Sequence, residues 1–185
     1  MEFYRKYFSN SESDGESIEE SPEFKMPPIH RVYTDGSFTP VRCGYGVFFG
    51  DNDPRNISKV ITEKKTNNIA ELKAIIDAIK IMIESPEYKM GNIIEIYSDS
   101  DYSIKSILEW ADTWEKNGWK TAKKKPVKNK ELIQEIRSYY KSDHRIQLLH
   151  VKAHQQPPKD TEKYQIWYGN MMADRLATGK KTALD

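Results

Sequence analysis

The nine residues NIIEIYSDS, numbers 92–100, have the pattern of a strand at the centre of a sheet. The run from Ile93 to Tyr97 is almost wholly apolar, which is typical of a strand buried on both faces. The stretch reaches Asp99 directly afterwards, so a carboxylate follows a buried strand. We therefore expect a layered protein in which helices pack on a sheet around this strand.

Three β-rich runs and one helix are predicted before this strand. The runs are IHRVYTDGSF at 29–38, GYGVFFG at 44–50 and NISKVIT at 56–62. Turn-forming residues separate them, which favours an antiparallel meander. Residues 67–84 repeat apolar side chains at spacings of three and four, so we expect an amphipathic helix that Asn67 or Asn68 caps.

The elements that follow the strand complete the expected order. They are a helix over 102–114, a Lys-rich connection, a helix over about 128–141, a strand at 145–151 and a helix that contains Met171 to Ala177. This order predicts the α/β (α+β) fold class, with helices packed on a mixed sheet.

Composition excludes several classes of protein. The chain has 185 residues, of which 37% are hydrophobic and 31% charged, with a net charge of +1. No apolar run reaches the roughly 18 residues that cross a bilayer, and no apolar segment opens the chain as in a secretory signal. Cys43 is the only cysteine, which excludes an internal disulfide and a Cys-rich zinc site. We therefore expect an intracellular protein, cytoplasmic or nuclear, that does not contact membranes.

Residues 1–29 differ from the rest of the chain. They carry seven acids against three bases and few apolar residues between Ser9 and Pro22, so we expect a disordered acidic tail. The tail is either a solvated appendage or a docking segment for a protein partner, with aromatic residues near its start and serines beside acids as phosphorylation sites. The ordered domain is expected over residues 30–185.

Four acids occupy positions in or beside apolar elements, where carboxylates are uncommon. Asp35 lies within the first strand, Asp99 follows the central strand, Glu71 lies in the first turns of its helix, and Asp174 lies in the last helix. If the two strands are neighbours and both helices cross near their ends, the four carboxylates converge. Such a cluster of like charges resists ionisation unless cations neutralise it.

Divalent cations are the chemistry that this cluster suggests. Mg²⁺ prefers oxygen ligands and keeps several waters, so three or four carboxylates suit two ions bound together with a phosphate. Each acid also has an ordinary explanation: Asp35 in a turn, Asp99 as a helix cap, Glu71 solvated and Asp174 in a surface ion pair.

Six segments together resemble type 1 ribonuclease H, the enzymes that cut the RNA strand of RNA–DNA hybrids. They are YTDGSF at 33–38, TNNIAELKAI at 66–75, IYSDSDY at 96–102, GWKTAKKKPVKNKEL at 118–132, HVKAH at 150–154 and GNMMADRLA at 169–177. The resemblance implies a five-stranded mixed sheet whose first three strands are antiparallel. It also implies that Asp35, Glu71, Asp99 and Asp174 hold two Mg²⁺ or Mn²⁺ ions.

A basic segment with interleaved tryptophans suggests a nucleic acid partner. Residues 114–130 hold seven lysines against one acid. Lysines gain affinity by releasing counterions, and indoles pack on sugar-phosphate, although a charge run alone is often only a solvated face. The resemblance implies a DNA-strand site, whose expected members are Thr66, Trp110, Trp114, Lys120, Lys123, Lys124 and Asn129; one of the tryptophans is alternatively a core residue.

The remaining substrate contacts are expected near the acids. Asn67 and Asn68 precede Glu71, where their amides reach groove-edge acceptors and 2′-hydroxyls, and a hybrid read in its wide minor groove is recognised largely without regard to sequence. Gly36 allows a close backbone approach. Ser37 and Phe38 are expected to touch the RNA strand.

His154, in HVKAH, resembles the mobile-loop histidine that assists proton transfer or product release in the family. An imidazole suits that task because its pKa lies near neutrality; the alternative is a structural histidine. The segment 155–168 is longer than usual in the family, and it makes Asp160 a rival of Asp174, although GNMMAD matches the family motif better.

We therefore expect a monomeric, metal-dependent endonuclease that leaves 3′-hydroxyl and 5′-phosphate ends. Two other functions are open: a hybrid-binding module without turnover, which the presence of all four acids disfavours, and a related nuclease that acts on DNA alone.

Overall fold

The computed structural model describes residues 27–63, 65–153 and 155–180. The strands are β1 (Ile29–Phe38), β2 (Cys43–Phe48), β3 (Ile57–Val60), β4 (Ile93–Ser98) and β5 (Ile146–His150). The helices are α1 (Asn67–Glu84), α2 (Pro86–Lys89), α3 (Asp101–Lys105), α4 (Ala111–Lys116), α5 (Lys130–Ser142) and α6 (Thr161–Thr178). A π-helical turn, Ser106–Trp110, joins α3 to α4.

The strands form one sheet in the order β3-β2-β1-β4-β5. The pairs β1–β2 and β2–β3 are antiparallel, whereas β4 pairs in parallel with both β1 and β5. The predicted meander and the five-stranded mixed sheet are therefore confirmed. β4 lies between two strands and buries Ile93, Ile94 and Ile96, as its apolar run predicts.

Helices cover both faces of the sheet because alternate side chains of each strand point to opposite sides. Val32 and Ile96 join the larger core with the apolar face of α1. Their neighbours Tyr33 and Tyr97 pack with Ala173 of α6 in a second cluster. The two helices therefore enclose β1 and β4, and each brings one of its own acids toward the same strand ends.

Two helix starts differ from the sequence expectations. Thr66, and neither Asn67 nor Asn68, caps α1, because its hydroxyl accepts a hydrogen bond of 3.2 Å from the Ile69 amide. The last helix begins at Thr161, so eight of the fourteen residues of the segment 155–168 are helical. Asp160 caps this helix by accepting from the Lys163 amide at 2.9 Å.

β1 begins at Ile29, one residue before the residue at which the domain is expected to start. The acidic tail, apart from its last three residues, lies outside the described residues. Within the part of the chain that the structure describes, no helix is both long and apolar enough to cross a bilayer.

Candidate active site

Two parallel strands bring Asp35 and Asp99 side by side. Thr34 lies opposite Ser98 in the β1–β4 ladder, so each acid is the next residue of its own chain segment. Glu71 approaches from the second turn of α1, which packs on β1. Asp99 is not a helix cap, because Ser100 caps α3.

Three of the predicted acids form a compact group, which we call the acidic centre: Asp35, Glu71 and Asp99. Each contributes a carboxylate oxygen, and these oxygens all lie within 4.8 Å of one another. Asp35 is 6% exposed and Glu71 only 3%, whereas Asp99 is half-buried. The centre therefore has a buried floor and one side open to solvent.

Gly36 makes this convergence sterically feasible. A Cβ atom at this position would lie 2.4 Å from the backbone nitrogen of Glu71 and 2.9 Å from its Cδ atom. Any side chain would push α1 away from β1. The predicted close backbone approach is thus an approach of the helix to the strand.

The electrostatics of the acidic centre disfavour full ionisation. Burial, together with the charges of Asp99 and Asp174, raises the pKa of the Asp35 carboxyl to about 8. Burial, followed by the charges of Asp35 and Asp99, likewise raises the pKa of Glu71 well above its usual value. A positive charge placed among these groups would remove the repulsion.

Two amides support the acidic centre and leave acceptor atoms free. Asn67 Nδ2 donates to Glu71 Oε1, and Asn170 Nδ2 donates to Asp99 Oδ2, both at 3.3 Å. Among the described residues, the buried Glu71 Oε2 has no hydrogen-bond partner. A buried carboxylate oxygen without a donor, beside two other carboxylates, fits a hard divalent cation.

Asp174 lies at the edge of the acidic centre. It is not among the acids whose oxygens lie within 4.8 Å of one another, but its charge contributes to the raised pKa of Asp35. Asp174 and Asp99 line the same cavity. The rival acid, Asp160, serves as the α6 cap, and His154 lies outside the described residues.

Asn170 is a site residue that the sequence reasoning did not single out. It is buried and lies one helical turn before Asp174, on the same side of α6. The spacing of four residues between an amide and a predicted metal ligand is the signal that indicates it.

The other expected substrate contacts are exposed or half-buried. Ser37 is half-buried and Phe38 is exposed at the end of β1, while Asn68 is half-buried in the first turn of α1. Asn129 has a left-handed backbone with φ of 57°, and its Nδ2 donates to the Tyr102 hydroxyl at 3.2 Å. Thr66 is exposed but is also the α1 cap.

Residues 114–130, the basic protrusion, fold back on a row of aromatic rings. Trp119 is the core tryptophan, at 9% exposure, whereas Trp110 is 38% exposed and Trp114 half-buried. Trp110 and Trp114 pack edge to face at 5.7 Å between ring centroids. The Lys124 amide donates to the Thr121 carbonyl at 2.8 Å in a tight turn. The side chains of Lys120, Lys123 and Lys124 are exposed.

The model of the RNase H family matches residues 28–181. The chain belongs to the ribonuclease H family. Ribonuclease H of Schizosaccharomyces pombe is 41% identical over 186 residues, which cover 94% of this chain and 63% of that protein. Ribonuclease H of Thermosynechococcus vestitus is 34% identical over 163 residues, which cover 86% of this chain and 95% of that protein.

Solved ribonuclease H structures share the fold. The RNase H domain of prototype foamy virus matches with a TM-score of 0.56 at 23% identity, over 82% of this chain and 92% of that domain. LC11-RNase H1, solved in complex with an RNA/DNA hybrid, matches with a TM-score of 0.51 at 19% identity, over 80% and 94%. The predicted ribonuclease H family, fold class and enzyme class are confirmed.

Proposed function

We propose that this ribonuclease H cuts the RNA strand of RNA–DNA hybrids with two bound divalent cations, and leaves 3′-hydroxyl and 5′-phosphate ends. The observation that carries the proposal is the acidic centre, in which Asp35, Glu71 and Asp99 offer oxygens within 4.8 Å of one another. Three carboxylates in a largely buried pocket do not stabilise the fold by themselves, because their charges repel one another. Binding of divalent cations would account for them.

The residues that would hold the cations are those of the acidic centre together with Asp174, and the hard oxygen donors suit Mg²⁺ or Mn²⁺. When bound, paired divalent cations supply an activated water and stabilise the leaving oxygen of an in-line phosphoryl displacement. Asp174 is half-buried and lies beside the cavity that it shares with Asp99.

The protein's own residues orient the acids. Asn67 fixes one oxygen of Glu71, and Asn170 fixes one oxygen of Asp99, so each carboxylate keeps a second oxygen for ligation. Residues that orient ligands in this way typically change metal affinity or activity by about 10- to 100-fold when they are removed. Gly36 sets the separation of the two elements that carry Asp35 and Glu71.

The basic protrusion would bind the DNA strand. Trp110 and Trp114 offer apolar ring surface beside exposed lysines, and lysines gain affinity by displacing condensed counterions. Thr66 and Asn129 lie near helix starts, where they would contact one DNA phosphate, and Asn68, Ser37 and Phe38 would contact the hybrid near the acids. The hybrid-bound state of LC11-RNase H1 supports this choice of substrate.

His154 is proposed to assist proton transfer or product release, because its neighbours in HVKAH match the family motif. We further propose that the protein acts as an intracellular monomer.

The test is cleavage of three matched duplexes with one sequence: RNA–DNA, DNA–DNA and RNA–RNA. We expect cuts only in the RNA strand of the hybrid, loss of cleavage in chelator, recovery with Mg²⁺ or Mn²⁺, and 5′-phosphate ends. Binding of the hybrid without cleavage in either cation would contradict the proposal, and so would equal cleavage of DNA–DNA.

A further inference from the structure

A cavity of about 300 Å³ opens beside the acidic centre, and we call it the Trp167 cavity. Asp99 and Asp174 line one part of it, so it is continuous with the place where the scissile bond would lie. Its apolar wall is formed by Val151, Pro158, Ile166 and Trp167. The volume is at the lower end of the roughly 300–1,000 Å³ of small-ligand sites.

We propose that the Trp167 cavity seats the sugar and phosphate of one RNA nucleotide next to the scissile phosphate, with Lys163 as the phosphate contact. The proposal rests on the proposed function, because it requires the RNA strand to cross Asp99 and Asp174. The occupant is backbone and not a base, since the bases of a hybrid are paired with the DNA strand.

The apolar wall is held in place before any substrate arrives. The Trp167 indole nitrogen donates to the Gln155 carbonyl at 2.8 Å. The Tyr164 ring packs against the indole with 5.4 Å between centroids. A side chain that is already fixed loses little conformational entropy on binding. A ribose gains apolar contact against such a wall.

Two lysine side chains line the same cavity. Lys163 lies in the first turn of α6, and Lys152 lies just after β5. The neighbouring acid, Glu162, forms a salt bridge with Arg31, with 2.6 Å between Glu162 Oε1 and the guanidinium nitrogen. Within the described part of the chain, neither lysine is paired with a carboxylate. Both ammonium groups are therefore available to a phosphate, which they would shield from the nearby acids.

Much of the cavity wall comes from the segment 155–168. Pro158, Lys163, Ile166 and Trp167 all come from residues 155–168. The helical part of this segment forms the N-terminal end of α6 and places Lys163 and Trp167 one turn apart. The segment thereby supplies both the cation and the apolar wall.

The test replaces phosphates of the hybrid one at a time with uncharged methylphosphonate, in each strand, around a single defined cut site. In the wild-type protein we expect one RNA phosphate next to the cut whose replacement lowers kcat/KM about tenfold. K163Q should lose about tenfold on the unmodified hybrid and nothing further on the hybrid modified at that phosphate. This fold-change corresponds to about 1.4 kcal/mol.

The matched control is K159Q, since Lys159 is an exposed lysine of the same segment that does not line the cavity. It should keep the wild-type profile at every position. We call the effects coupled when the substitution and the methylphosphonate together lower kcat/KM no more than either does alone. Coupling in K159Q at the same phosphate, coupling of K163Q to a DNA phosphate, or no coupling at any position would overturn the proposal.

Two variants of Trp167 distinguish its role as an apolar wall from its role as a hydrogen-bond donor to the Gln155 loop. W167F keeps an aromatic ring but lacks the indole N–H, whereas W167A lacks both. We expect KM to rise several-fold in W167A and to stay near the wild-type value in W167F. An equal rise of KM in the two variants would assign the effect to the lost hydrogen bond with Gln155. It would overturn the proposal that the ring serves as an apolar wall for the ribose.

Equilibrium binding in chelator separates this proposal from the proposed function. The same methylphosphonate scan is read there as affinity, without any cleavage. Coupling of Lys163 to one RNA phosphate in a protein that cuts no hybrid would uphold the cavity and reject the nuclease. Absence of that coupling from both binding and cleavage would reject the cavity.

Discussion

The acidic centre and the basic protrusion carry opposite charges, and they differ even more in how they are built. The carboxylates of Asp35 and Glu71 are buried where strand and helix ends meet, and α1 and β1 cannot separate without losing core contacts. Lys120, Lys123 and Lys124 of the basic protrusion are exposed, and Lys124 lies on a tight turn beside a row of tryptophans.

This difference predicts how each region responds to change. Charges in a buried site interact strongly because water screens them little, so the loss of one group is felt by all the others. Exposed lysines act on a phosphate chain through counterion release, which grows with the number of contacts and falls with salt. Single substitutions should therefore inactivate the acidic centre and only weaken the basic protrusion.

The largest effect is expected from Asp99→Asn. The variant keeps an oxygen for the Asn170 amide but loses the charge that would hold a cation. We expect kcat to fall at least about a thousand-fold, because cations contribute several kcal/mol of transition-state stabilisation and 1.36 kcal/mol is tenfold. Hybrid cleavage and hybrid affinity should be measured together, and affinity should stay largely intact.

Asp101→Asn is the matched control for this variant. Asp101 is an exposed acid two residues away that pairs with Lys105 at 2.9 Å. The Asp101→Asn variant should cut the hybrid at close to the wild-type rate. Full activity in Asp99→Asn would remove Asp99 from the metal site.

A smaller effect is expected from the double variant Lys123→Gln and Lys124→Gln. Each phosphate contact that is lost should flatten the plot of log affinity against log salt by about 0.9 and should weaken binding. We expect roughly tenfold weaker hybrid binding near physiological salt, with kcat nearly unchanged. The control is Lys80→Gln with Lys89→Gln, which removes the same charge from the C-terminal part of α1 and the end of α2. It should leave the slope unchanged. An unchanged slope in both doubles would make the basic protrusion a solvated surface.

The stability of the metal-free protein tests the acidic centre from another direction. Because the pKa of Asp35 is raised from 3.8 to about 8, the folded state holds a proton that the unfolded chain releases. The free energy of unfolding should therefore fall as the pH rises between these values, and level off above about 8. Mg²⁺ should reverse the loss.

Asp35→Asn removes both the charge and this proton. At pH 8 without metal it should melt at least about 2–4 °C above wild type, the shift that roughly 1 kcal/mol produces in a chain of this size. Its melting temperature should depend less on pH and on Mg²⁺. Asp101→Asn again serves as the control. A lower melting temperature in Asp35→Asn would show that its carboxylate stabilises the metal-free fold.

The two regions also differ in what the sequence predicts of them. The convergence of Asp35 and Asp99 is predicted only on the condition that their strands are neighbours, and the parallel β1–β4 pair meets that condition. The role of Gly36 is only partly predictable, since the sequence indicates a close approach but not that α1 is the element that approaches. The spacing to Asp174 indicates Asn170 only weakly, because its hydrogen-bond partner, Asp99, lies 71 residues earlier in the chain.

Local competition between similar residues explains the other differences. Thr66, Asn67 and Asn68 are all good helix caps, so the sequence does not decide between them; in the structure Thr66 is the cap. The three tryptophans at 110, 114 and 119 are equally apolar in sequence. Trp119 has a left-handed backbone, with φ of 59°, and its ring is buried in the core, whereas Trp110 is 38% exposed; periodicity does not predict such a backbone.

The smallest effect is expected from deletion of residues 1–26. This deletion tests whether a third charged region, the acidic N-terminal segment, affects hybrid binding or catalysis. The deletion must keep Pro28, because its carbonyl accepts a hydrogen bond of 2.9 Å from the Ile93 amide in β4. The removed residues carry seven acids against three bases, so hybrid binding should tighten slightly at low salt and kcat should change less than about twofold. A variant that keeps residues 1–26, with their acids replaced by Gln and Asn, should reproduce the tightening. A more than tenfold loss of kcat on deletion, absent from the neutralised tail, would show that the tail acts through specific contacts with the catalytic domain and not through its charge.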